Sequence, residues 1–119
     1  MSESAIIDPQ AIENLRALNP GDNDEFLREI AVIFLEDTPQ RITELDQSLS
    51  AGDVGKFTRA AHSIKGSSSN LGAMALRAAA EKLEHQARTQ GLGNTAALLA
   101  QIKLEFGRAQ SVLTKIIAK

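Results

Sequence analysis

After Pro39 the chain runs for 80 residues without another proline. Proline breaks a helix interior at a cost of about 3 kcal/mol and is shut out of central strands. Its absence therefore permits long, uninterrupted elements. Their type follows from what fills the stretch. Alanine (18) and leucine (14) dominate, while valine occurs only three times. Alanine and leucine are the strongest helix formers, whereas strands draw on β-branched residues. No alternating apolar–polar run bounded by hairpin turns is present. The chain reads as all-α.

Glycines, prolines and acidic caps divide it. Asp8-Pro9 combines an N-cap with a proline at the first helical position and predicts a helix over 9–18, closed by Asn19-Pro20-Gly21. Asp22, with Glu25 three residues on, is a capping-box variant and opens a helix over 23–51. Phe26, Ile30, Ile33, Phe34, Ile42, Leu45 and Leu49 keep a helical period along it, a length of about 42 Å. Pro39 lies inside this pattern, and the period resumes in register after it. One kinked helix is the reading, two separate helices the alternative.

Gly52-Asp53 marks a tight hairpin. A helix over 54–71 follows, with Val54, Phe57, Ala61, Ile64, Ser68 and Leu71 on one stripe, and Gly72 stops it. Leu76, Ala80, Leu83 and Ala87 predict a helix over 74–90. After Gly91-Leu92-Gly93-Asn94, with Asn94 as cap, Leu98, Ile102, Phe106, Ala109, Leu113 and Ile116 predict the last, over 95–117. Short loops between long helices imply an antiparallel four-helix bundle with a short additional N-terminal helix over one end. Nothing suggests a second domain within 1–119.

Composition removes several chemistries. Without cysteine there is no disulfide framework, thiolate metal site or thiol nucleophile. A net charge of −2 argues against a general nucleic-acid binder. No apolar run approaches the ~20 residues of a membrane helix. The opening Met1–Pro9 stretch lacks the charged and apolar regions of a secretory signal, so a cytoplasmic protein is expected. The only imidazoles are His62 and His85. A di-metal bundle needs Glu-x-x-His pairs, but Arg59 and Lys82 stand three residues before the two histidines.

His62 lies about 200° around the helix from Ile64 and so faces away from the core stripe. Thr58, Arg59, Lys65, Gly66 and Ser69 share its side. Gly66 in a helix interior costs roughly 0.5–1 kcal/mol relative to alanine, and the serines after it are weak helix formers. A local rule broken in an otherwise Ala-rich chain marks a functional site, although fraying or close helix packing explains the same residues. Gly66 leaves room beside the imidazole, and Lys65 offers charge to an anion. Lys56, Arg59 and Lys65 make this face locally basic, with Lys56 readable as solvated surface. His85, flanked by Glu84 and four residues after Glu81, reads as a surface histidine in a helix pair.

The run His62-Ser63-Ile64-Lys65-Gly66-Ser67-Ser68 followed by Leu71-Gly72-Ala73 resembles the histidine-containing phosphotransfer (HPt) domains of multistep phosphorelays. Phe34-Leu35 with Pro39, Leu45, Ala51-Gly52-Asp53, Ala60-Ala61 and Leu83-Glu84 extend the resemblance over roughly residues 9–116. It implies a four-helix bundle in which His62 accepts a phosphoryl group from the phospho-aspartate of a receiver domain and passes it to another receiver. Lys65 would neutralise the phosphate, Gly66 would admit the partner, and Ser69 would donate a hydrogen bond to a phosphate oxygen. Thr58 and Arg59 would form the docking surface for an acidic partner. No cofactor is implied on this chain; Mg²⁺ would belong to the receiver. A monomer is expected. Neither Gly-x-Gly-x-x-Gly nor a Walker sequence is present, so a carrier without kinase activity is implied. A bundle that merely sequesters a protein partner is the competing class, separable by whether partner binding depends on His62 and Lys65. One departure stands out. Some members place a Gln from the following helix near the histidine. Here that region reads Glu84-His85-Gln86, and Glu84 takes the position by offset. Positioning would then rest on Lys65 and solvent.

Overall fold

The computed structural model describes residues 3–118. They form α1 (Glu3–Ile6), α2 (Pro9–Leu18), α3 (Glu25–Ala51), α4 (Val54–Leu71), α5 (Met74–Gln90) and α6 (Ala96–Ile117). The last four make the bundle, each packed antiparallel on its sequence neighbour, with α6 closing back onto α3. Helix α2 lies across α3 and α4 at one end. Helix α1 is a single turn that sequence periodicity is too short to reveal.

The helix ends follow their punctuation. Gly52 and Gly72 adopt left-handed φ of 70° and 73°, and their N–H groups close the last turns of α3 and α4. Asp53 Oδ1 accepts from Lys56 N at 3.1 Å and caps α4. Asp8 caps α2 through Gln10 N at 3.0 Å. Two starts differ from expectation. Helix α3 begins at Glu25, because Asn23 and Asp24 take left-handed φ of 57° and 64°. Asp24 is turned back to a two-oxygen contact with Arg16 Nε, while Asp22 still caps through Phe26 N at 3.0 Å. At α6 the N-cap is the buried Thr95 rather than Asn94.

Helix α3 is continuous through Pro39, so the reading as one helix holds and the alternative of two does not. Its inward face is Leu27, Ala31, Phe34, Thr38, Leu45 and Ser48. Ile33, counted with the core stripe from its period, is instead 61% exposed. Helix α3 has 27 residues against 18 in α4, so part of it runs past its neighbour. Phe34 and Phe106 meet in a tilted ring contact with centroids 5.8 Å apart, joining α3 to α6 beside the fully buried Phe57, Ile64, Leu83 and Ile102. Many of the buried side chains of α4 and α5 are small: Ala60, Ala61 and Ser68 on the first, Ala79, Ala80 and Ala87 on the second. These two helices make the most extensive contact in the molecule. Ser68 is therefore a packing residue, its hydroxyl returned to Ile64 O within the helix. That accounts for part of the serine run without any functional role.

Candidate functional site

The α4–α5 contact sets the site. The hairpin at Gly72 brings His62 and Lys65 of α4 level with Glu84 of α5, 22 and 19 residues on. His62 Nδ1 lies 3.0 Å from Glu84 Oε2, and Lys65 Nζ donates to Glu84 Oε1 at 2.7 Å. Arg88, one turn further along α5, places Nη2 2.8 Å from the same Oε2. The Glu84 side chain is only 6% exposed, whereas that of His62 is 63% exposed. A buried carboxylate thus anchors an exposed imidazole.

Burial pushes the Glu84 carboxyl up. The hydrogen bonds from Lys65 and His62, with the charges of Lys65 and Arg88, outweigh that and hold it below the ordinary glutamate range. An ionised carboxylate can only accept, so the proton on His62 sits at Nδ1. In the neutral form of the ring, Nε2 is then the nitrogen that carries the lone pair, on an exposed side chain. Glu84, and not Lys65 with solvent, orients the imidazole. The sequence offset pointed at Glu84 without revealing its contacts. Gln86 plays no part: its amide bonds Gln90 at 3.1 Å.

The other candidates separate. A Cβ at Gly66 would meet nothing within 4 Å, so the space beside His62 is open. Ser69 is exposed and its hydroxyl has no hydrogen-bond partner among the described residues, unlike those of Ser67 and Ser68. Arg59 is exposed, and a Cβ at Gly55 would stand 3.4 Å from its Nη1, so the guanidinium lies back over the first turn of α4. Thr58 does not belong to a docking surface. It is buried, and its hydroxyl is spent on Val54 O at 2.7 Å. His85 is exposed, and Glu81 pairs with Arg77 at 3.6 Å in its place. Among the described residues no group of three or more His, Asp or Glu side chains converges as metal ligands.

The Hpt domain family model matches residues 29–112, a span that contains the whole His62–Lys65–Glu84 cluster. The chain belongs to the Hpt domain family. The Hpt domain is 27% identical over 85 residues to multistep phosphorelay regulator 1 of Schizosaccharomyces pombe, covering 71% of this chain but only 29% of that protein. It is 27% identical over 109 residues to histidine-containing phosphotransfer protein 4 of Arabidopsis thaliana, covering 90% of this chain and 85% of that one. Its fold matches the crystal structure of histidine-containing phosphotransfer protein B from Pseudomonas aeruginosa PAO1 with a TM-score of 0.83, at 30% identity and 92% coverage of both chains. The function of this Hpt domain is phosphotransfer in a multistep phosphorelay. No helix among its described residues is long and apolar enough to cross a membrane.

Proposed function

We propose that His62 Nε2 is the phosphoacceptor, taking a phosphoryl group from the aspartyl phosphate of one receiver domain and giving it to the aspartate of another. The observation that carries this is the exposed imidazole held at Nδ1 by the buried Glu84. The Nε2 lone pair attacks phosphorus in line. The N–P bond forms as the acyl P–O bond breaks, and its electron pair stays on the departing aspartate carboxylate. Nδ1 keeps its proton, so the phosphorylated ring carries positive charge, which the Glu84 carboxylate faces and stabilises. Donation to the second receiver is the same step reversed. Such transfer needs positioning and charge neutralisation rather than an acid or base.

Lys65 supplies positive charge beside the group. Gly66 admits the receiver's acidic pocket, Ser69 reaches a phosphate oxygen, and Arg59 contributes to docking. Mg²⁺ is held by the receiver's carboxylates, with no cofactor on this chain. The domain acts as a cytoplasmic, monomeric carrier and not as a kinase. A phosphorylated receiver should label the protein with an acid-labile phosphate. His62→Gln should abolish the label while leaving the helical circular dichroism unchanged, and labelling that persists in this variant overturns the assignment.

A further inference from the structure

We propose that Arg88 is the mobile cation of the transfer site: it leaves Glu84 as the phosphoryl group arrives on His62 and binds the phosphoryl oxygens. The inference rests on His62 being the phosphoacceptor. It comes from the unequal way the two oxygens of Glu84 are shared. Oε1 has one partner, Lys65, at 2.7 Å. Oε2 has two, His62 Nδ1 at 3.0 Å and Arg88 Nη2 at 2.8 Å. If Lys65 swung away, a buried carboxylate oxygen would lose its only donor, which is costly. If Arg88 swings away, Oε2 keeps the His62 N–H.

Exposure points the same way. The Lys65 side chain is 26% exposed and that of Arg88 62%. An ion pair so open to water is weakly held, and the guanidinium has donors to spare. Lys65 therefore works from a fixed seat, and its remaining N–H groups reach out from there. Arg88 is the cation free to follow charge. It already neighbours the imidazole, since both bond the same oxygen. Arg59, the other nearby guanidinium, lies back over Gly55. A phosphoryl group brings up to two negative charges and presents oxygens that suit the planar guanidinium fork.

The test uses phosphoramidate as a small-molecule phosphoryl donor, so no partner need be known. Loading of the wild-type protein should shift the Arg88 side-chain ¹⁵N resonances, and no such shift should occur in His62→Gln. A role confined to propping Glu84 would leave them where they are. Arg88→Gln should load about tenfold more slowly, with Arg88→Lys recovering part of the loss. The His62 ring ¹⁵N shifts should stay at wild-type values in both variants. Unmoved Arg88 resonances, or wild-type loading of Arg88→Gln, overturn this inference alone. Failure of the wild-type protein to accept phosphate overturns the phosphoacceptor assignment and this inference with it.

Discussion

Substitution of Gly66 should move stability and transfer in opposite directions. Gly66 lies in the interior of α4, is exposed, and a Cβ there meets nothing within 4 Å. Gly66→Ala therefore carries no packing cost and gains the helix propensity that glycine forfeits, about 0.5–1 kcal/mol. For a domain of this size that raises Tm by roughly 2–6 °C. Gly66→Gln gains somewhat less. Helical side chains lean toward the N-terminus of their own helix, so a residue covers the turn before it. At position 66 that turn carries His62. Glutamine would lie across the imidazole where a receiver must approach. Thermal melts should rank alanine above glutamine above wild type. Transfer rates from a phosphorylated receiver should rank wild type first and glutamine last, by tenfold or more. A lower melting point for Gly66→Ala would refute the open space at this position. Equal transfer rates for wild type and Gly66→Gln would refute the access role of the glycine.

Three further outcomes are expected. Gly72→Ala forces a side chain into left-handed backbone and puts its Cβ 2.7 Å from Ala11 Cβ and 3.0 Å from Asp8 Cβ; urea unfolding should show a loss of about 2–4 kcal/mol, most of it from displaced α2. Lys65→Met should cost about 1–3 kcal/mol by stranding Glu84 Oε1, whereas Arg88→Met should cost under ~1 kcal/mol, and equal losses would refute the asymmetry between the two oxygens. Glu84 has its folded pKa lowered, so its ionisation contributes stability that is full above the ordinary glutamate range and is lost as pH falls through the lowered folded value. Glu84→Gln lacks that contribution, so the stability gap between the two proteins should narrow on acidification, as followed by urea midpoints at a series of pH values.

Element limits were legible where local chemistry sets them. Asp8-Pro9, Gly52-Asp53 and Gly72 act within a turn of themselves, and α2, α4 and α5 run as predicted over 9–18, 54–71 and 74–90. The start of α3 was not legible, because Asp24 answers to Arg16 eight residues away. Ile33 fits a helical stripe by period, but period cannot tell whether a neighbouring helix is there to cover it. His62, Lys65 and Gly66 stood out because they break the local rules of an Ala-rich helix. Thr58 shares their side of α4 by angle yet is buried. The contact between His62 and Glu84 spans two helices, and its register is set by how α4 and α5 pack after the turn at Gly72. No spacing within one helix encodes it.

That register has a consequence for how such a carrier is tuned. The nucleophile stands on one helix and its orienting carboxylate on the next, so the separation of α4 and α5 works as a gauge for the tilt of the imidazole ring. Ala61 and Ser68 of α4 and Ala80 of α5 are all fully buried, so their volume bears on the packing of these helices from inside the bundle. Adding a methylene or two at one of them would spread the helices and slacken the grip on Nδ1 while every surface residue stayed the same. Transfer rate and partner recognition can therefore drift independently: the first through the volume of hidden side chains, the second through the charges a receiver meets.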